Sequence, residues 1–392
     1  MGLEIYKLYK DVSAYVSQIS QRRQLRKSSE EGFDYTGDEY RNLVRSVVER
    51  LHPASMRLKV DKIIQQTPST KTFRFCRIDG KFPPFRAGQY ITLYLEIDGV
   101  STARAYSISS VSGELHIDLT IRYKEGGFVS VYMHKKCREG DEFDSSGPAG
   151  QFYYESLIDK KELVFIAGGS GITPFMSILK TFEKQGWPQK VHMLYGNRHL
   201  NDVIFEKELN RLSADNPNFN YALVVSEPGD DYRGVRGFIT ADLVKNHVGD
   251  PAGKTFMICG PNAMYDFVSQ ALKTLQVPGR RIRREIYGPP EQVMGEKGWP
   301  AGVDAEQVFS VEVVGHKTIQ VKAGEPIINS LERNGLKVRS LCRAGECSYC
   351  RIKVLEGEVF MPDGNGVREM DKRDGYVHSC VAYPLKDLKI EI

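Results

Sequence analysis

The chain contains the stretch Leu341-Cys342-Arg343-Ala344-Gly345-Glu346-Cys347-Ser348-Tyr349-Cys350. Four residues separate Cys342 from Cys347, two separate Cys347 from Cys350, and a further cysteine follows at Cys380. This spacing is typical of a [2Fe–2S] cluster, because one loop wraps three thiolates around a small inorganic core while the fourth ligand comes from elsewhere in the fold. Gly345 can adopt a positive φ inside that loop without steric cost. The sequence therefore predicts that these four cysteines bind a [2Fe–2S] cluster.

Two other uses of the cysteines fit less well. Disulfide bonds are typical of small secreted scaffolds, whereas this chain has 392 residues and its remaining cysteines, Cys76, Cys137 and Cys259, are scattered. Structural zinc sites commonly contain two Cys-x2-Cys pairs, and this sequence contains one. The pattern favours an iron–sulfur protein in a reducing compartment.

Composition sets broad limits on the class of protein. The chain is 41% hydrophobic and 27% charged, which is ordinary for a globular protein of two or three domains. A net charge of +4 gives no reason to expect nucleic acid or an anionic membrane as a partner. No run approaches the roughly 18 apolar residues of a membrane span, and charged residues interrupt the start of the chain, unlike a secretory signal. We expect a cytoplasmic protein, and its oligomeric state stays open.

Residues 1–55 predict an N-terminal helical extension. Apolar side chains recur every three or four residues in two places, which is the period of an amphipathic helix. They are Ile5, Leu8, Val12, Tyr15 and Ile19 in the first, and Tyr40, Leu43, Val44, Val47 and Leu51 in the second. Thr36 and Glu39 have the spacing of a capping box, and Pro53 ends the second helix. We interpret the extension as helices packed on the body or a short dimerisation element, with docking of a redox partner as the alternative.

Residues 56–155 predict a small antiparallel β-barrel. Short segments rich in β-branched and aromatic residues, at 57–63, 72–77, 90–97 and 115–122, are separated by glycine and proline, as in successive strands of a barrel.

The barrel also contains a candidate flavin site. Strand alternation places Arg104 and Tyr106 on one face, where a cation and an aromatic ring suit the phosphate and the ring of a flavin, with the Ser107 hydroxyl near its reactive N5. After the next strand come Gly126-Gly127-Phe128-Val129-Ser130 and an apparent helix. Backbone N–H groups at a helix start bind phosphate, and Ser130 could cap that helix or donate to a pyrophosphate.

Residues 156–290 predict a parallel sheet covered by helices. The strand 162–167 runs into the turn Gly168-Gly169-Ser170-Gly171-Ile172-Thr173-Pro174 and a helix through Lys184. Strands at 191–195, 221–225 and 255–259 then alternate with helical segments, as in an α/β domain. The turn is neither a dinucleotide fingerprint nor a Walker loop, but it lies where such a sheet binds a nucleotide. Together with Cys259-Gly260-Pro261 it could hold a nicotinamide nucleotide.

The last part of the chain predicts a linker and a cluster domain. Glycines and a proline in residues 291–306 indicate the linker. Residues 307–392 contain two strands, a helix at about 327–334, the cysteine loop and closing strands. This order of elements indicates a separate α+β domain.

Residues 56–290 resemble the ferredoxin–NADP reductase superfamily, and residues 307–392 resemble plant-type ferredoxins, which have a β-grasp fold. The matching segments are Phe85-Arg86-Ala87-Gly88-Gln89-Tyr90, Arg104-Ala105-Tyr106-Ser107, Gly147-Pro148-Ala149-Gly150, Gly168 to Pro174, Cys259-Gly260-Pro261, Glu285-Ile286-Tyr287 and Gly375-Tyr376-Val377-His378-Ser379-Cys380. The domain order is similar to that of the reductase components of multicomponent oxygenases, such as phenylacetyl-CoA epoxidase and ketosteroid hydroxylase reductases. Residues 1–55 lie outside the resemblance.

The resemblance implies roles for individual residues. The flavin contacts would be Arg104, Ala105, Tyr106, Ser107, Ile121 and Tyr123, with Gly127, Val129 and Ser130 at its phosphates. The nucleotide contacts would be Gly168, Gly169, Gly171, Thr173, Pro174, Glu227, Gly260, Pro261 and Tyr287. Cys259 would lie near the nicotinamide during hydride transfer. Glu285 would handle a proton near the flavin, or pair with the arginines around it.

The cofactor choice rests on fewer residues. After the strand that ends at Val225, family members often carry a basic residue for the 2′-phosphate of NADPH, whereas this chain has Glu227. A carboxylate repels that phosphate and can accept hydrogen bonds from free ribose hydroxyls, which favours NADH. Arg198 and Arg233 favour NADPH. FAD is favoured over FMN.

The sequence therefore predicts an enzyme, an NAD(P)H-dependent electron-transfer reductase. Hydride supplies two electrons at once, whereas a plant-type cluster, with a potential near about −400 mV, accepts one and passes it to a redox protein. Arg343, Glu346 and Tyr349 flank the cluster loop and could contact that partner or form solvated surface. The alternatives are an NADH:quinone-type reductase and a redox sensor that binds a regulatory partner.

Overall fold

The computed structural model describes Ile19 and residues 37–392, in two units, Met1–Pro53 and Ala54–Ile392. In the first unit, helix α1 spans Asp38–Leu51, which confirms the second predicted helix. Gly37 is its N-cap, and no side chain caps the helix. Thr36 lies outside the described residues, and so does the first predicted helix except for Ile19. No helix in the described part of the chain is long and apolar enough to cross a bilayer.

The second unit begins with a six-stranded antiparallel barrel. Its strands are β1 Met56–Thr67, β2 Thr70–Arg77, β3 Tyr90–Ile97, β4 Val100–Ser107, β5 His116–Arg122 and β6 Glu142–Ser145. They lie in the order β4-β3-β6-β1-β2-β5, and a bridge between Ile108 and Leu119 joins the two end strands. Inward-facing Phe73, Phe75 and Ile91 are fully buried. Helix α2, Phe128–Lys135, adds Val129 to the same core.

A parallel sheet follows, as the alternation of strands and helices predicts. Its strands are β7 Glu162–Gly168, β8 Lys190–Asn197, β9 Phe219–Val225, β10 Val235–Arg236, β11 Thr255–Cys259 and β12 Ile282–Glu285; its helices are α3 Thr173–Lys184, α4 Glu206–Asp215, α5 Ala241–Val248 and α6 Asn262–Thr274. The order is β10-β9-β8-β7-β11-β12, with an apolar core on each face. Strand order reverses between β7 and β11, so Gly168 and Cys259 end at a switch point, where open sheets of this kind bind ligands.

The third part is a mixed sheet with one packed helix, the α+β architecture expected for a β-grasp domain. Its elements are β13 Val308–Val313, β14 Thr318–Lys322, α7 Ile327–Arg333, β15 Arg351–Glu356, β16 Val359–Phe360, α8 Glu369–Arg373, β17 Tyr376–His378, β18 Tyr383–Pro384 and β19 Leu388–Glu391. The main sheet has the order β14-β13-β19-β15-β17, with β13 and β19 parallel. Helix α7 buries Ile327 and Leu331 in its core.

The segment predicted as a linker is packed. Val293 is 3% exposed and shares a small core with Phe360 and Tyr383. The Trp299 ring meets the Phe360 ring edge-on at 5.2 Å between centroids. The apolar side chains of residues 291–306 therefore pack this segment against the cluster domain. The glycine content of the segment had indicated a linker instead.

Candidate functional site

The four predicted cluster cysteines come together as two pairs of free thiols. The Sγ atoms of Cys350 and Cys380 are 3.2 Å apart, well beyond a disulfide bond length. The Cys342 thiol is hydrogen-bonded to that of Cys347, whose Sγ also accepts a bond from the Cys342 N–H at 3.4 Å. Two pairs of thiols suit a centre of two irons that each take two cysteines. The residues fit a [2Fe–2S] cluster.

The backbone of the cluster loop is bent and firmly supported. Arg343, Gly345 and Ser348 all have positive φ, at 55°, 80° and 60°, and Gly345 was expected to do so. The buried His378 ring contacts Gly345 O through Nδ1 at 2.6 Å and Ser348 Oγ through Nε2 at 3.1 Å. The chain next to Cys380 thereby holds the loop in its curved shape.

Two of the three residues proposed for partner contact lie at the surface. Tyr349 is 58% exposed, and Glu346 is exposed as well. Arg343 is 6% exposed and pairs with Glu332 at 2.5 Å, so its assignment to a partner surface is wrong. The Arg343 guanidinium, next to the first cluster cysteine, forms an ion pair with the buried Glu332 carboxylate. The spacing of residues in the sequence does not reveal this pair.

Strand β4 presents a half-buried cation without an acidic partner among the described residues. Arg104 Nη1 donates to Thr102 Oγ1 at 2.9 Å and to Ala103 O at 2.7 Å, and the guanidinium forms no ion pair with any described carboxylate. Burial, and then the nearby Arg343 guanidinium, lower the pKa of Arg104 to about 10. A cation that is partly withdrawn from water is stabilised by an anionic partner. The site fits the phosphate of a flavin, with Tyr106 two residues along the same strand face and Ala105 between them.

The turn before α2 differs from expectation in one detail. Gly127 is the N-cap of the helix, so Ser130 lies inside its first turn and does not cap it. Ser130 Oγ instead accepts from the Lys124 N–H at 3.2 Å, and Val129 is 2% exposed, as is Ile121 in the preceding strand. The first N–H groups of an α-helix have no partner within the helix, so the start of α2 can still bind an anion.

Side chains from three predicted motifs meet where the barrel and the parallel sheet adjoin. The Tyr287 hydroxyl lies 2.8 Å from Ser107 Oγ and 3.1 Å from Thr173 Oγ1. Pro174 follows at the first turn of α3 and is buried. The structure therefore brings the predicted flavin N5 contact and the nucleotide turn into one hydrogen-bonded group.

Cys259 and Glu285 are neighbours at the ends of adjacent strands. They are register partners in β11 and β12 and are 0% and 8% exposed. Burial, then the Glu285 carboxylate, raise the pKa of the Cys259 thiol, which keeps it protonated. Arg283, which could have paired with Glu285, binds Asp159 at 2.6 Å instead. A neutral thiol and a proton-binding carboxyl thus lie behind Tyr287.

Glu285 gives a pH-dependent prediction. Burial, then Glu346 and Cys342, raise the pKa of Glu285 to about 8. The pKa of Glu285 in the folded protein is higher than its value of about 4.3 in the unfolded chain. Ionisation of Glu285 therefore destabilises the fold progressively as the pH rises from about 4.3 to about 8. We expect Glu285→Gln to raise the melting temperature by roughly 2–4 °C at alkaline pH and to change it little at pH near 5, by calorimetry. Glu291→Gln, at an exposed carboxylate, is the control. An equal shift at both pH values contradicts the assignment.

The carboxyl ends of the parallel strands open into a cavity of about 870 Å³. Its walls include the predicted nucleotide residues Gly168, Gly169, Glu227, Gly260, Pro261 and Tyr287. Its rim carries Phe238 and Phe267, exposed rings 5.8 Å apart. A mostly preformed cleft of this size at a switch point suits a nucleotide.

Gly171 lies behind the cavity and not in its wall. A Cβ at this position would collide with the Cys259 carbonyl oxygen and crowd Gly260 Cα at 2.7 Å. The glycine therefore lets the β7 turn approach the end of β11 closely. Thr173 likewise lies outside the lining and reaches the site through Tyr287.

Sequence reasoning named Arg198 but missed two other cations of the cavity wall. Arg122 pairs with Asp202, and a Cβ on Gly169 would meet Arg122 Nη1 at 2.6 Å. Lys124 pairs with Glu291 at 2.6 Å. Arg122 directly follows Ile121 and ends β5, so strand alternation could have found it, whereas Lys124 lies in the loop beyond the strand. Asp202, the partner of Arg122, is distant in sequence and could not be found that way.

A second cavity, of about 500 Å³, adjoins the first on the far side of Tyr123. Its lining is mainly basic and polar: Gln65, Ser69, Lys71, His134, Lys135, His199, Asn201 and Asp202. The Tyr123 ring packs edge-on against the His134 ring at 5.6 Å. An aromatic face next to cations suits an adenine with its phosphates.

Barrel, parallel sheet and cysteine loop together define an iron–sulfur flavoprotein, and three family models match in that order. They are an oxidoreductase FAD-binding domain at residues 57–154, an oxidoreductase NAD-binding domain at 165–270 and a 2Fe-2S iron-sulfur cluster binding domain at 311–385. The chain belongs to the family of flavoprotein reductases that carry a carboxy-terminal ferredoxin domain. It is an oxidoreductase that carries electrons from NADH or NADPH through FAD and a [2Fe–2S] cluster to a partner redox protein.

Individual relatives cover most of the chain. The ferredoxin reductase component of 3-ketosteroid-9-alpha-monooxygenase from Rhodococcus rhodochrous is 32% identical over 86% of this chain and 97% of its own. The glycine betaine monooxygenase reductase subunit of Chromohalobacter salexigens is 29% identical over 84% and 93%. The structure of phthalate dioxygenase reductase covers 86% of this chain and 98% of its own, with a TM-score of 0.65 at 20% identity. That likeness establishes the same fold.

Proposed function

We propose that this reductase oxidises NADH and supplies single electrons to an oxygenase component. The observation that carries the choice of nucleotide is the Glu227 carboxylate in the wall of the large cavity. The choice of acceptor is supported by the relatives, several of which are reductase subunits of monooxygenases. The flavin, when bound, supplies the change from two-electron to one-electron chemistry.

Specific residues hold the cofactors in this proposal. Arg104 binds the flavin phosphate, because this half-buried cation of β4 has no ion pair with a described carboxylate, and Tyr106 and Ser107 contact the flavin ring. Tyr123 and the second cavity receive the adenosine half of FAD, which FMN lacks. The cysteines at 342, 347, 350 and 380 hold the iron. The corresponding domain limits are 56–155 for flavin, 156–290 for nucleotide, 291–306 for the connection and 307–392 for the cluster.

The surroundings of Glu227 support NADH. Its Oε1 accepts from Arg198 Nε at 2.7 Å, so the cation that could favour NADPH is already paired. Arg233, the other candidate, is not part of the cavity lining. A 2′-phosphate would therefore meet a carboxylate and no free guanidinium at this wall.

We expect Glu227→Ala to raise the kcat/KM for NADPH relative to NADH by roughly 10- to 100-fold, because it removes a like charge and frees Arg198 to bind phosphate. Steady-state kinetics with both nucleotides measure the ratio. The double variant Glu227→Ala/Arg198→Ala should lose most of the gain. Glu312→Ala, which breaks an ion pair with Lys389 away from the cavity lining, is the control and should leave the ratio unchanged. No gain in Glu227→Ala, or an equal gain in the control, contradicts the proposal.

An absorbance spectrum of the purified protein tests the proposed function as a whole. We expect flavin and [2Fe–2S] bands together, and anaerobic addition of NADH should bleach both. Reconstitution with a candidate oxygenase should then couple NADH oxidation to product formation. A colourless zinc protein, or bands that NADH leaves unchanged, would exclude the function.

We also propose a cytoplasmic location. All seven cysteines are free thiols, which fits a reducing compartment. Detection of the protein in the cytosolic fraction with its cluster intact would test this.

A further inference from the structure

A buried carboxylate joins the cluster domain to the flavin-binding barrel. Glu332 lies on α7 and is 9% exposed. Its Oε2 accepts a hydrogen bond from Thr102 Oγ1 of β4 at 2.9 Å, and its Oε1 accepts one from Arg343 Nη1 at 2.5 Å. One side chain of the cluster domain is therefore shared between a barrel strand and the cluster loop.

The loop is tied to the barrel on both sides of the first cluster cysteine. Arg343, which follows Cys342, is fixed by Glu332 and by Asn329 Oδ1, the latter at 2.7 Å. Leu341, which precedes Cys342, accepts a hydrogen bond at its carbonyl oxygen from Thr92 Oγ1 of β3 at 2.8 Å. These contacts define where Cys342 lies relative to β3 and β4.

The same connection reaches the proposed flavin phosphate site. Arg104 Nη1 donates to Thr102 Oγ1 at 2.9 Å, and the Thr102 hydroxyl donates onward to Glu332. A continuous chain of hydrogen bonds thus runs from Arg104 through Thr102 and Glu332 to Arg343. It crosses from the barrel to the cluster domain, which would hold the flavin and the cluster in the proposed function.

Stability of the cluster domain alone does not require the Thr102 contact. The Glu332–Arg343 ion pair lies within that domain and satisfies one carboxylate oxygen without the barrel. Domains of one chain move relative to each other unless their interface holds them, and a hydrogen bond to a buried charge is among the stronger contacts. The Thr102 bond therefore biases the cluster domain towards its docked position.

We propose that Glu332 is a positioning residue that holds the cluster loop against the flavin strand and thereby sets the rate of flavin-to-cluster electron transfer, without acting on hydride transfer. This inference rests on the proposed roles of Arg104 and the cluster cysteines. Neither Glu332 nor Thr102 is proposed to contact a cofactor. Because Thr102 Oγ1 also accepts from Arg104, the flavin content of each variant is measured before the kinetics.

The test uses the holoenzyme with Thr102→Val, which removes the donor to Glu332 and leaves the Glu332–Arg343 pair, and with Glu332→Gln. Stopped-flow absorbance after mixing with NADH should show an unchanged rate of flavin reduction and a cluster reduction slowed roughly tenfold, the equivalent of one lost hydrogen bond to a charged group. Hydrogen exchange of the β4 and α7 amides should become faster in both variants. Glu369→Gln, which breaks an exposed pair with Lys372 on α8 of the same domain, is the control and should change neither readout.

Two results would overturn the inference: unchanged cluster reduction and exchange in Thr102→Val, or flavin reduction slowed as much as cluster reduction. If Glu332→Gln does not fold, Thr102→Val decides alone. Failure of the proposed function is distinguishable, because the wild-type protein would then show no NADH-dependent cluster reduction at all.

Discussion

Cys347→Ser is expected to abolish electron delivery to a one-electron acceptor while NADH still reduces the flavin. The Cys347 thiol lies against Cys342. The other two cluster cysteines, Cys350 and Cys380, form a second pair of neighbouring thiols. Iron–sulfur clusters are held by thiolates, so an alcohol at this position leaves one iron short of a ligand. Iron content, the electron paramagnetic resonance signal of the reduced cluster and acceptor reduction should fall together, to background.

Cys76→Ser is the matched control for this change. Cys76 is a partly exposed free thiol on β2, far along the chain from the cluster loop. Its substitution should leave iron content and acceptor reduction unchanged. Full acceptor reduction in Cys347→Ser would show that electrons reach the partner by another route.

Arg104→Gln is expected to weaken flavin binding by roughly 10- to 100-fold, the range for losing a charge-assisted hydrogen bond. The same change should not destabilise the flavin-free protein. Burial lowers the pKa of Arg104 to about 10, which means that the folded apoprotein disfavours its charge at neutral pH. Flavin titrations followed by fluorescence, and melting curves with and without flavin, measure the two effects separately.

Arg74→Gln should show the opposite pattern. Arg74 binds Asp118 with two hydrogen bonds of 2.8 and 2.9 Å, and the Asp118 side chain is 10% exposed. Removal of the arginine leaves a nearly buried carboxylate unpaired, which lowers the melting temperature and leaves flavin affinity unchanged. If Arg104→Gln lowered apoprotein stability and preserved flavin affinity, Arg104 would be a structural residue.

Local sequence patterns predicted the main elements because their physical causes are local. The bounds of Tyr90–Ile97 and Thr255–Cys259 are as predicted, since β-branched and aromatic runs end at glycine or proline. The cysteine loop was recognisable because its spacing is fixed by the geometry of a small inorganic core. The glycine turn after β7 was recognisable because it lies between a strand and a helix.

Contacts between distant parts of the chain were not predictable in the same way. Thr102 and Glu332 are 230 residues apart, and neither belongs to a motif. Arg343 was predicted to lie at the surface because it is charged and belongs to a loop. Its side chain is buried instead, because it binds Glu332 and Asn329. Ser130 missed its expected capping position because the helix begins at Phe128, directly after Gly127.

Freeze-quench spectroscopy on the anaerobic holoenzyme tests the order of electron transfer directly. After mixing with NADH, flavin absorbance should be lost first, and the paramagnetic signal of the reduced cluster should follow before any electron reaches the acceptor. A cluster signal that rises before flavin reduction, or an acceptor that is reduced at full rate while the cluster stays oxidised, would contradict a path from nucleotide to flavin to the four-cysteine centre.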